Sequence, residues 1–112
     1  MKITSLKTIL ETETSHNKDI KKKVMISKGE MPLVTQVAQV VFKPAQIAEK
    51  HTHEDMFETF YVEQGEGIVT VNDTNIALEK GICVTVEPGE AHEVKNTGKE
   101  DLLIIVFGLK NP

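Results

Sequence analysis

Turn-forming residues recur along this chain at intervals too short for any long regular element. They cluster at Ser27–Pro32, Lys43–Gln46, Gly65–Gly67, Asn72–Asn75, Lys80–Gly81, Glu87–Gly89 and Asn96–Asp101. Between them lie short runs rich in β-branched and aromatic residues: Val24–Ile26, Leu33–Phe42, Phe57–Val62, Ile68–Val71, Ile76–Leu78, Ile82–Val86, Ala91–Lys95 and Leu102–Leu109. No helical period persists through this region. Strands this short and this evenly spaced predict an all-β sandwich or barrel.

The first 23 residues read differently. Leu6, Ile9 and Leu10 could share one face of a short helix, or the segment could be an extended arm. Residues 11 to 23 are polar and read as a solvated connection; isolated His16 and the Lys21-Lys22-Lys23 run are taken as solvated with it. The expected division is an N-terminal arm or extension over 1–23 and one β-barrel domain over 24–112.

Charge and cysteine content narrow the partners. Thirteen basic against seventeen acidic residues give a net charge of −4, which repels phosphate backbones and anionic lipid, so neither nucleic acid nor membrane is expected. The longest apolar stretch, Leu102–Leu109, is far shorter than the ~20 residues a bilayer helix needs. Thr4, Ser5, Lys7 and Thr8 interrupt any apolar leader segment. The single Cys83 cannot form an internal disulfide, which points to a reducing, cytoplasmic location, and Cys83 itself is expected to be a small buried hydrophobe.

His51 and His53 are separated by one residue, so on a strand both imidazoles project from one face, about 6.6 Å apart at the backbone. Two such side chains can reach one ion. Glu54, Asp55 and Met56 read as a polar bend, after which Glu58, Phe60 and Val62 share the inner face of the returning strand and Tyr61 faces out. Glu58 would then meet the histidines and add a hard anionic ligand. His92 follows the turn Glu87-Pro88-Gly89-Glu90, which aims the next strand. Spacing alone does not bring His92 to His53; that step needs a fold.

At this point the sequence resembles a family. His51-x-His53-x4-Glu58-x6-Gly65 is similar to the first cupin motif, and Gly81-x7-Gly89-x2-His92-x3-Asn96 to the second. Two turn positions depart from the pattern: Ala45 stands where the family opens with Gly, and Glu87 where it usually has Pro. The resemblance implies an antiparallel jelly-roll β-barrel holding one divalent ion by His51, His53, Glu58 and His92, beneath a substrate-sized pocket. It also implies a homodimer in which Ile3–Leu10 could be an exchanged arm. Asn96 is expected to turn the backbone after the His92 strand.

Three imidazoles and one carboxylate leave about two of six positions open on an octahedral ion. The first functional reading is therefore a metal-dependent enzyme acting on a small organic molecule, either a dioxygenase-like oxygenase or an isomerase or lyase. The alternative is a non-catalytic metal-dependent binder of a sugar or carboxylic acid. Mn and Fe come first among the ions; Zn, Ni, Co and Cu fit the same donors.

Overall fold

A computed structural model describes residues 1–112. The strands are β1 (Thr12–Glu13), β2 (Lys21–Ile26), β3 (Val34–Phe42), β4 (Ile47–His51), β5 (Met56–Gln64), β6 (Gly67–Val71), β7 (Thr74–Leu78), β8 (Cys83–Val86), β9 (His92–Asn96) and β10 (Leu102–Lys110). They form two antiparallel sheets, a six-stranded one in the order β1-β2-β3-β10-β5-β8 and a four-stranded one in the order β4-β9-β6-β7. The jelly-roll expected from the sequence is the fold observed, and no element is a helix.

Alternation decides which side chains face inward. In β5, Glu58, Phe60 and Val62 are buried while Tyr61 is exposed; in β10, Leu102, Ile104 and Val106 are buried. The same alternation on β3 buries Ala38, Val40 and Phe42. Most of these apolar residues meet Val69, Leu78, Val86 and Val94 in one core between the sheets. With a side-chain period of two, a one-residue slip would turn the whole set to solvent, so the register is strongly held.

The structure corrects three expectations. Residues 11 to 23 are not a purely solvated connection: Ile20 is fully buried in the core, and Lys21, Lys22 and Lys23 begin β2, paired with Val41, Val40 and Gln39. Lysine stems can cover apolar surface while their ammonium groups stay wet, so a polar run can still form a half-buried strand. The helical option at Leu6–Leu10 reduces to one turn, in which the Thr8 and Ile9 amides both donate to the Ser5 carbonyl. Cys83 is exposed, because on edge strand β8 the inward parity belongs to Val84 and Val86.

The two departures from the family motifs have local explanations. Ala45 adopts φ +70°, the left-handed region where a Cβ costs roughly 1 kcal/mol. Ala45→Gly should therefore stabilise the protein by about 0.5–1 kcal/mol, raising Tm by a few degrees in calorimetry; an unchanged or lower Tm would show that the turn carries no such strain. At the second position, the Glu87 amide donates to the Glu90 carboxylate at 2.8 Å, a bond that proline could not make.

Candidate metal centre

The four candidate ligands come from three places in the chain. His51 ends β4 and pairs in register with His92, which begins β9, so the four-stranded sheet sets two imidazoles side by side. Glu58 comes from β5 in the facing sheet. His53 lies beyond the end of β4, in the bend toward β5, rather than on one strand with His51 as expected. The Gly89 amide donates to the His53 carbonyl at 2.8 Å, tying this bend to the turn before His92.

The donor atoms of His51, His53, Glu58 and His92 all lie within 4.8 Å of one another. Glu58 Oε1 is 3.2 Å from His92 Nε2 and 3.6 Å from His53 Nε2. An ion about 2.1 Å from each donor would need only small side-chain adjustments. Two backbone carbonyls orient the rings. His51 Nδ1 donates to the Glu49 carbonyl at 2.7 Å and His92 Nδ1 to the Glu90 carbonyl at 3.0 Å. Because a carbonyl only accepts, the proton is fixed on Nδ1 and Nε2 is the atom turned to the centre.

The electrostatics suit a cation. Burial pushes the Glu58 carboxyl up, but the His92 hydrogen bond and the charges of His53, His92 and His51 outweigh it and hold it below the usual carboxylate range. Burial pulls His92 down, yet the hydrogen bonds to Glu58 and Glu90 and the Glu58 charge leave it raised. Each group thus favours the charged form of the other, and an entering ion competes with protons for both.

Burial draws His51 down to about 4 from the usual 6.5. Between those values the unfolded chain binds the extra proton and the folded chain does not, so stability contributed here is lost as pH falls from about 6.5 to 4. His92, being raised, acts with the opposite sign. Chelated wild type should therefore show a steeper fall in Tm across this window than His51→Gln; identical profiles would contradict the assignment.

Beside the four donors lies a cavity of about 290 Å³, walled by Ile20, Val40, Phe42, Val94 and Val106 among others. Phe60 and Met56 also line it, in keeping with the strand parity and the position of the bend; Phe57 does not. The main surprise is His16. It is exposed but not simply solvated: its ring stacks on His51 with centroids 3.5 Å apart and planes 15° apart. No spacing rule links it to His51, and only the path of the segment before β2 brings them together. Lys22, Thr35 and Gln36 also line the cavity without any motif marking them. Asn96 has the turn-holding role expected, donating to the Phe42 and Glu100 carbonyls and accepting from the Gly98 amide.

The family profile of the Cupin domain matches residues 38–108. An oxalate-binding protein of Thermotoga maritima is 32% identical over 65 residues, which cover 58% of this chain and 54% of that protein, so the match spans about half of the relative's length. Among solved structures, a predicted oxalate decarboxylase of Thermotoga maritima superposes with a TM-score of 0.90 at 23% identity, covering 97% of this chain and 99% of that one. A polyketide cyclase of Streptomyces resistomycificus gives 0.82 at 16% identity, covering 100% and 82%. A sugar phosphate isomerase of Silicibacter pomeroyi gives 0.82 at 16%, covering 99% and 77%. At these identities the structural likeness establishes the shared fold alone.

Proposed function

This chain belongs to the cupin domain family, and from that premise we propose that it is a metal-dependent enzyme acting on a small organic acid. His51, His53, Glu58 and His92 hold one divalent transition metal, with Mn or Fe favoured. The observation that carries this reading is the convergence of four donors from both sheets beside a half-open cavity with largely apolar walls. When bound, the ion supplies Lewis acidity or, if redox-active, oxygen chemistry at its open positions. The protein orients the donors through the Glu49 and Glu90 carbonyls and shields the site behind apolar walls.

An organic acid is favoured as substrate because a carboxylate is a natural ligand for such an ion and because Lys22 adds a second cationic group to the cavity. The name of the oxalate-binding relative supports the same class, and it also favours a second reading, binding without turnover. Metal-loaded protein is to be tested with a panel of small organic acids for oxygen uptake, carbon dioxide release and isomerised product. Turnover that disappears on chelation supports the enzyme; ligand-dependent thermal shift without turnover supports the binder. Neither effect in metal-loaded protein would overturn both.

A homodimer also belongs to this proposal. Tyr61, Phe107 and Leu109 are exposed on the outer face of neighbouring strands β5 and β10 of the six-stranded sheet. Phe107→Glu should convert a dimer to a monomer in light scattering, and a wild-type monomer would remove the idea. No helix is long and apolar enough to cross a membrane. A cytoplasmic setting is retained as part of the proposal, supported by the free thiol of Cys83.

A further inference from the structure

The cavity lining includes a second polar group of side chains, on β2 and β3, beside the four candidate ligands, and three features of the fold build it. Lys22 pairs in register with Val40, whose side chain is buried, so Lys22 also projects into the barrel. Its Nζ donates to Gln36 Oε1 at 3.0 Å, leaving the Gln36 amide nitrogen as a donor. Gln36 shares the inward parity of Ala38 and Val40 on β3.

The third feature is a β-bulge. Across β3 and β10, Gly108 pairs with Gln36 and Leu109 with Val34, so Thr35 has no partner and its side chain is redirected inward. The Thr35 hydroxyl occupies the space where a Cβ on Gly108 would stand. Gly108 also pairs with Glu58 on its other side, which places the Gln36 and Glu58 backbones two strand spacings apart, about 9.6 Å. With no side chain on Gly108, the Thr35 hydroxyl and the Met56 methyl fill the place between them.

We propose that Lys22, Gln36 and Thr35 form a second anchor, which selects an acid carrying one carboxylate at the metal and another at these three side chains. The Lys22 ammonium and the Gln36 amide N–H can both donate, and the Thr35 hydroxyl, which donates weakly to Met56 Sδ at 3.8 Å, can exchange that partner for a better acceptor; an acceptor-only carboxylate is the group that uses all three. A two-carbon diacid chelating the metal engages both of its carboxylates there, whereas a diacid with a longer chain can keep one whole carboxylate for Lys22. This assignment rests on the metal-centred reading above and adds the substrate class to it.

The test holds the metal-binding head constant and varies the far end: lactate, malate and 2-hydroxyglutarate are titrated calorimetrically into metal-loaded protein. At least one of the two diacids should bind roughly tenfold or more tightly than lactate, the advantage of a charge-assisted contact. Lys22→Met should erase that preference while leaving metal content unchanged and weakening lactate far less than the preferred diacid, and Lys22→Arg should restore most of it. Equal affinities in the wild type, a preference that survives Lys22→Met, or no binding of any of the three would overturn the anchor. Failure of the underlying reading shows separately, as wild-type protein that takes up no metal or binds these acids equally well after chelation.

Discussion

Glu58→Ala should purify with almost none of the metal that the wild type retains. Glu58 is the only carboxylate among the four candidate donors, and it lies within 3.6 Å of the Nε2 atoms of both His53 and His92. Without it the remaining imidazoles face a divalent ion with no compensating charge, and affinity should fall by about 100-fold or more, beyond the roughly 10- to 100-fold typical of losing a supporting residue. Elemental analysis per chain, on protein purified without chelator or added metal, reads this directly. About one equivalent of Fe or Mn in the wild type, lost in the variant, supports oxygen chemistry; Zn or Ni supports Lewis-acid chemistry or binding. Full metal in Glu58→Ala, or none in reconstituted wild type, would sink the proposed centre. The variant should still fold, because the apolar core between the sheets excludes Glu58.

The largest loss of stability is expected from Gly65→Ala. Gly65 sits at φ +93° where the chain leaves β5 for β6 and so passes from one sheet to the other. A Cβ there would lie 2.6 Å from the Asp101 carbonyl oxygen and 2.8 Å from the Leu102 Cα, both backbone atoms that cannot swing aside. Strain at that φ and the overlap each cost on the order of 1–3 kcal/mol, so the sum should reach about 3 kcal/mol or more and lower Tm by roughly ten degrees or more. Gly81→Ala separates the two contributions, because Gly81 has a similar φ of +91° but a Cβ there would meet nothing within 4 Å. It should lose only the strain. Equal losses at the two positions would show that the close approach to residues 101 and 102 contributes nothing.

Local chemistry and tertiary environment agree along β5 and β10. Their alternation follows from a pleated backbone with one wet face and one dry face, and it is visible residue by residue. The paired histidines, the bend at Glu54–Asp55 and the turn at Glu87–Glu90 were legible for the same reason: each is a short-range pattern. A strand was expected at His51 and His53, but not over residues 47–50, since Ala48, Glu49 and Lys50 have little intrinsic preference for one; pairing with β9 holds them there.

What the sequence determined by itself was therefore the set of local preferences: most of the segments that extend or reverse, the alternation of faces along the long strands, and which residues have donor chemistry at motif spacing. Tertiary structure alone decided the meetings. It set His51 opposite His92 through the β4–β9 register, buried Ile20 beneath an otherwise polar stretch, stacked His16 on His51, and used a bulge to turn Thr35 over Gly108 into the cavity lining. The physical reason is that a backbone period repeats over two residues and leaves its mark in any short window. A contact between residues 16 and 51, or 36 and 108, depends on closure of the whole barrel, whose energy is spread over many pairings and written in no single one.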